Sequence, residues 1–242
     1  PLIVQLHGGP AESDKFGWGP GVIVNAVPVL SGLGYFVLRP NYRGSSGYGD
    51  AFLRDVIGRY FRNMHLDVLA GVDALVAHGL VDPDRLGVMG WSAGGHLTNK
   101  LITLTDRFKA ASSTAGAANW ISMFAQTDTR VNRTLWFGGT PWQKDAPIDA
   151  FWDQSPIKDA ARVRTPTLFF AGAEDGRVPL AQSLETHRAL APNGVDGVPC
   201  AAPREGPGSS DSYAVARTRP PLHPIPLRRP PGRDYPIHQK KG

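Results

Sequence analysis

The sequence predicts an α/β fold, a mostly parallel central sheet flanked by helices. Three observations carry that expectation. Short β-rich runs alternate with amphipathic stretches through the first 195 residues, the rhythm of βαβ units. A glycine-rich turn at residues 90–95 sits between a strand-like run and a helix-like one. A chain of 242 residues, 41% hydrophobic and 19% charged, is also long and apolar enough for one large domain with a sizeable core.

In chain order, Leu2–Leu6 is an apolar run that stops at His7-Gly8-Gly9-Pro10. Tyr35-Phe36-Val37-Leu38 is the next, ended by Pro40. Residues 66–78 set Val68, Leu69, Val72, Leu75 and Val76 close to helical spacing, until Val81-Asp82-Pro83-Asp84 breaks the pattern. Leu86-Gly87-Val88-Met89 reads as a third strand and 96–105 as the helix behind it. Residues 167–171, after Pro166, form a fourth strand, and Leu180–Leu190 a further helix. Between Trp120 and Ser155 the aromatics Trp120, Phe124, Trp136, Phe137, Trp142, Phe151 and Trp152 crowd together with Gly and Pro. They are either core and loop packing or a cap-like wall over a cleft.

Past Val195 the periodicity fails. Residues 196–242 hold 10 of the 22 prolines and 8 Lys/Arg against 4 Asp/Glu, whereas residues 1–195 hold 18 against 17. The chain therefore divides into a domain over 1–195 and a Pro/Arg-rich irregular tail over 196–242, and the net charge of +5 belongs mainly to the tail. No nucleic-acid partner is expected from Arg217, Arg219, Arg228, Arg229 and Arg233, because no reader motif accompanies them and only Tyr213 and Tyr235 are interleaved. No membrane partner is expected either, since no window approaches the roughly 20 apolar residues a spanning helix needs. A single cysteine, Cys200, the lack of His-Glu-x-x-His and the lack of a phosphate-loop glycine pattern predict no metal and no cofactor. The chain opens inside a strand-like run, so the fold is expected to be incomplete at both ends.

The chemistry gathers on three turns. Gly90-Trp91-Ser92-Ala93-Gly94-Gly95 is G-x-S-x-G between a strand and a helix, the setting of a nucleophile elbow in an α/β-hydrolase. The tight turn lifts Ser92 Oγ above the sheet edge, and larger residues two positions away would strike neighbouring backbone. His7-Gly8-Gly9-Pro10 follows the first strand, where an oxyanion loop belongs; its glycines let backbone N–H groups approach a developing oxyanion, with the second donor from Ala93. Gly172-Ala173-Glu174-Asp175-Gly176-Arg177-Val178-Pro179 follows a later strand. There Asp175 suits an acid that orients a histidine, with Glu174 as its rival and a plain helix cap as the structural alternative.

Together with Pro40-Asn41-Tyr42-Arg43-Gly44-Ser45-Ser46-Gly47-Tyr48-Gly49, these motifs resemble the catalytic domain of prolyl oligopeptidases, in particular the acylaminoacyl-peptidase and dipeptidyl-aminopeptidase branches, over roughly residues 1–195. The resemblance implies Ser92 as nucleophile, Asp175 as triad acid, and the Gly9 and Ala93 amides as oxyanion hole. Arg177 is implied to hold a substrate carbonyl, unless it is a surface arginine near the pocket. The implied partner is a short or N-acylated peptide substrate, cleaved through an acyl-enzyme on Ser92. Such enzymes also carry an N-terminal β-propeller, which has no counterpart in these residues.

The resemblance breaks at the base. The family's histidine lies in a segment like Glu-Gly-His-Gly, and the matching stretch here is Glu205-Gly206-Pro207-Gly208, with Pro207 32 residues after Asp175. Proline cannot take a proton from Ser92, and losing a triad member costs on the order of a million-fold in rate. No other histidine is an evident substitute: His187 is expected on a solvated helix face, His223 and His238 in the tail, His96 as structural, His7 within the oxyanion loop, and His65 and His78 flank a helix. A closing helix is also missing, and the abrupt change near 195–199 suggests a frame shift or truncated product. Two other readings stand beside the peptidase: a carboxylesterase on the same fold, which a Gly-Gly-Gly loop and Gly-Asp-Ser elbow would favour, and a non-catalytic chain.

Overall fold

The computed structural model describes residues 1–15 and 26–202, with the backbone alone for 198–202. The first half runs β1 (Leu2–Leu6), α1 (Val27–Gly32), β2 (Phe36–Leu38), α2 (Asp50–Arg54), α3 (Met64–Ala77), β3 (Leu86–Trp91) and α4 (Ala93–Leu104). The second half runs β4 (Phe108–Thr114), α5 (Trp120–Gln126), α6 (Arg130–Phe137), α7 (Ile148–Asp153), a 3-10 segment (Pro156–Arg162), β5 (Thr167–Gly172), α8 (Leu180–Leu190), a short 3-10 turn (Ala191–Asn193) and β6 (Gly197–Ala202).

The six strands make one sheet in the order β2-β1-β3-β4-β5-β6, and every described pairing is parallel. The chain steps from β1 outward to β2, then crosses back to lay β3 on the other side of β1. Between β1 and β3 the direction of winding therefore reverses. In open α/β sheets the crevice beyond the strand ends at such a reversal is where ligands bind, and here it is flanked by His7 and Ser92.

Central β1 and β3 are buried at most positions, whereas burial alternates along β5 with the pleat. On β5, Thr167, Phe169 and Ala171 are buried and the residues between them half-covered. Helix α4 packs over β1, β3 and β4, and its Leu97 and Leu101 are fully buried. Strand β4 has no counterpart in the expectations above, because Phe-Lys-Ala-Ala-Ser-Ser-Thr is too small and polar to read as a strand. Its size is set by α4: a Cβ on Gly95 would overlap the carbonyl oxygen of Thr114, and Ser113 Oγ donates to the Gly95 carbonyl at 3.0 Å. Only small residues allow that approach.

Strand β6 lies beyond residue 195, where the periodic pattern fails, and carries the sheet to Ala202. Pro199 hides it from a propensity reading, yet proline is tolerated in a strand with a single neighbour because its missing N–H faces away from the ladder. The remainder of the expected tail, 203–242, including Pro207, lies outside the described residues.

The aromatic segment resolves into α5, α6 and α7. Trp120, Phe124, Phe137 and Phe151 are buried in the core, while Trp142 and Trp152 stand exposed. Phe137 and Phe151 stack at 4.1 Å, and Tyr60 stacks on Trp136 at 4.5 Å. Arg133 closes this cluster by lying over the Trp136 and Trp120 rings.

Candidate active site

Ser92 caps α4 with φ 57° and ψ −118°, a conformation that a non-glycine residue holds only under constraint. The constraint is visible. Ser92 N–H donates to Thr114 O at 2.9 Å, and Ser92 O accepts from His96 N–H at 2.9 Å. A Cβ on Gly94 would overlap the Leu6 carbonyl oxygen, so the helix start can settle onto the end of β1 only with glycine there. The expected steric role of the elbow glycines agrees with this packing. Ala93 is the first helical residue, and its N–H is among those an α-helix leaves without an internal acceptor.

The His7-Gly8-Gly9-Pro10 loop lies directly against the elbow. A Cβ on Gly8 would stand 3.5 Å from Ser92 Cβ and 3.4 Å from Trp91 O, and Gly9 follows at the exposed rim. The loop is held from below by residues whose role the sequence reading left unassigned. Tyr42 Oη donates to His7 O at 2.6 Å, and its ring stacks on the imidazole at 4.3 Å. His7 Nε2 meets Ser45 Oγ at 2.9 Å. Arg43 grips Asp67 through its backbone N–H, Nε and Nη2, fixing the whole turn to α3. Asn41 exchanges two hydrogen bonds with the backbone of Asp14 in the continuation of the loop. The only signal for Tyr42 and Ser45 was their place in the Pro40–Gly49 motif. Burial pushes the His7 pKa down and the Tyr42 phenol up, so both are neutral near pH 7.

Asp175 follows β5 and is half-buried. Its Oδ1 accepts from the Arg177 N–H at 2.8 Å and the Val178 N–H at 3.0 Å, while no described residue engages Oδ2. The residue capping α8 is Pro179, so Asp175 is not a helix cap. Glu174 is exposed and makes no such bonds among the described residues. Two strand spacings, about 10 Å, separate the ends of β3 and β5. That span leaves room for an imidazole between a serine on one and a carboxylate on the other. Arg177 pairs with Asp128 through Nε at 2.5 Å and Nη2 at 3.3 Å, an exposed bidentate contact that raises its pKa.

The histidines sort by their surroundings. His96 is buried; its Nδ1 donates to Ala117 O at 3.1 Å, and its Nε2 accepts from Trp120 Nε1 at 3.3 Å. Burial pushes its pKa down to about 3, and with both nitrogens occupied it is structural, as expected. His187 differs from expectation: it is half-buried rather than on a solvated face, because its ring packs near Phe169 and lies about 3.0 Å from where a Gly197 Cβ would be. Gly197 pairs with Thr167 at the start of β5, the opposite end of the strand from Asp175. Among the described residues, no group of three or more His, Cys, Asp or Glu is arranged to hold a metal.

A serine on a strained strand–turn–helix elbow, beside a glycine loop at the winding reversal of a parallel sheet, defines an α/β-hydrolase. More narrowly, the chain belongs to the prolyl oligopeptidase family, which matches residues 23–217 and so runs past residue 195. It is 37% identical over 195 residues to the uncharacterized peptidase YuxL of Bacillus subtilis, covering 78% of this chain and 28% of that protein. It is 36% identical over 206 residues to the acylamino-acid-releasing enzyme of Arabidopsis thaliana, covering 81% and 26%. Pyrococcus horikoshii acylaminoacyl peptidase superposes with a TM-score of 0.79 at 28% identity, covering 88% of this chain and 34% of that one. The chain thus spans about a quarter to a third of the length of these relatives.

Proposed function

We propose that this chain carries the hydrolytic site of a serine peptidase acting on short or N-acylated peptides. The observation that carries the reading is Ser92 at φ 57° on its elbow, with the Gly8–Gly9 segment packed against it. Ser92 Oγ attacks the scissile carbonyl, the Gly9 and Ala93 N–H groups bind the resulting oxyanion, and water then releases the acyl group. Asp175, with Oδ1 held by two backbone amides, offers Oδ2 to orient and charge-balance an imidazole. Arg177 holds a substrate carbonyl with the donors that Asp128 leaves unused. Acylated peptides are supported as substrates by the acylamino-acid-releasing relatives.

The base is the weak member. With Pro207 at the position expected for histidine, Ser92 lacks a proton acceptor, and this chain hydrolyses slowly. The same residue keeps a non-catalytic chain in view as the second reading. Labelling with a fluorophosphonate separates the two. The expected order is no labelling of Ser92→Ala, slow labelling of the natural chain and faster labelling of Pro207→His. Equal, rapid labelling of the natural chain and Pro207→His would remove the missing-base reading. No labelling of any of them would remove Ser92 as a reactive serine.

A further inference from the structure

Arg133 is a cation sunk among aromatic rings. It is 7% exposed, and its Cζ lies 4.8 Å from the centre of the Trp136 ring, 5.4 Å from that of Trp120 and 5.9 Å from that of Tyr60. Ring faces attract a guanidinium but give its N–H groups no oxygen acceptor. Among the described residues no Asp or Glu pairs with it. Its Nε has no hydrogen-bond partner there, and Nη1 reaches only Tyr60 Oη at 3.5 Å, the outer limit of such a bond. An arginine keeps its charge in a protein and carries five N–H donors in a planar fork. Burial has thus taken water from a charge without supplying the acceptors that would replace it. A methionine would fill the same space among the rings without that cost.

The cluster belongs to the end of the sheet that carries the elbow. Tyr60 follows β2, and Trp120 and α6 follow β4, in connections that leave the carboxyl ends of those strands. Helix α6 starts beside the acid loop: the Asp128 N–H donates to Gly176 O at 3.0 Å, and Thr127 Oγ1 donates to Arg177 O at 2.8 Å. Trp120 Nε1 donates to His96 Nε2 at 3.3 Å, and the His96 N–H donates to Ser92 O at 2.9 Å. The surroundings of Arg133 are therefore fastened to both elements that hold Ser92 and Asp175. What its guanidinium lacks is a planar pair of oxygens, which a carboxylate supplies in bidentate geometry. We propose that Arg133 is a specificity-determining residue that receives a carboxylate of the peptide, so that the site selects acidic over neutral substrates. A neutral amide in the same place leaves the buried charge unmatched, which penalises the wrong substrate as much as pairing rewards the right one. The proposal deepens the peptidase reading and rests on it for the ligand being a peptide. An acidic side chain and a free carboxyl terminus both present the required group, and the test separates them.

The test titrates three peptides into the full chain carrying Ser92→Ala, which prevents turnover. They are acetyl-Glu-Ala-amide, acetyl-Gln-Ala-amide and acetyl-Gln-Ala with a free carboxyl terminus. At least one charged peptide is expected to bind about tenfold or more tightly than the neutral one, and the one that does so names the source of the carboxylate. Adding Arg133→Met should bring the charged peptides to the affinity of the neutral peptide, which itself is unchanged; Arg133→Lys, with a charge but no fork, should keep part of the preference. A merely structural arginine would alter unfolding and leave the preference alone. Equal affinity for all three peptides, no binding of the charged ones, or a full preference surviving Arg133→Met each overturns the proposal. If Arg133→Met does not fold, nitrogen-15 NMR decides it: the Arg133 Nε–H resonance, identified by its loss in Arg133→Lys, should move with the charged peptide and not with the neutral one, and an unmoved resonance overturns the proposal. If fluorophosphonate fails to label the natural chain, the reading of Ser92 falls, while the titrations still decide whether Arg133 selects a carboxylate.

Discussion

Strain at one residue is affordable only when its neighbours leave no alternative. Ser92 keeps a positive φ because Gly94 lets α4 close onto Leu6 O, so Gly94→Ala should either unfold the elbow or cost about 3 kcal/mol, the upper range for overpacking. Urea unfolding beside fluorophosphonate labelling measures it, and a variant of natural stability that still labels contradicts the account. His96 makes a pH prediction. Its pKa is about 3 folded and near 6.5 unfolded, so between these values the unfolded chain holds more protons. The stability it confers is complete above pH 6.5 and falls on acidification by about 1.4 kcal/mol per pH unit. His96→Gln should therefore show a smaller loss of stability between pH 7 and pH 5 than the natural chain, and an equal loss would refute the assignment. Ser92, Gly9 and Asp175 could be singled out as candidates because each sits within a short motif. Tyr42 and Ser45 were not assigned, because they serve a residue 35 and 38 positions away.

At the scale of elements, α8 does more than follow the acid loop. Its Gln182 is fully buried, and its Oε1 accepts from the Ala118 and Asn119 N–H groups while its Nε2 donates to Ser122 Oγ and Gln126 Oε1. One turn on, Glu185 accepts from Asn119 Nδ2 and Ser122 Oγ. Helix α8 thereby carries the start of α5, and with it Trp120 over His96. Gln182→Ala leaves two backbone donors unpaired and should cost about 3 kcal/mol in chemical unfolding. Arg177→Ala breaks an exposed pair and should cost less than about 1 kcal/mol. If Arg177 holds a substrate carbonyl, the KM for a peptide rises, and an unchanged KM would leave it a surface residue. The limits of Leu180–Leu190 were readable because apolar spacing and flanking breaks agree. Strand β4 was not, because its composition answers to the backbone of α4.

Across the whole molecule, the sheet has two distinct ends. Ser92, Gly9 and Asp175 follow the carboxyl ends of their strands. From the opposite ends to mid-strand, Ile3, Met89, Ala110, Ser112 and Leu168 line an apolar groove of about 280 Å³ along one face of the sheet. This groove should bind a hydrophobic dye such as anilinonaphthalene sulfonate, and Leu168→Glu should weaken the dye signal while leaving Ser92 labelling unchanged. A parallel fall in labelling would mean that the two ends are coupled.

The sequence alone determined the α/β class and the glycine-flanked turn at Ser92, and it pointed to candidates for the oxyanion loop and the acid and to Pro207 at the position where a histidine is expected. Each of these is written in a few consecutive residues or in one spacing along the chain. Tertiary structure alone decided which strands lie side by side, that β6 extends the sheet past 195, that His187 lies at the wrong end of β5, and that Tyr42, Ser45 and Gln182 hold the site's walls. Those outcomes depend on contacts between residues dozens of positions apart, and local propensity carries no record of them.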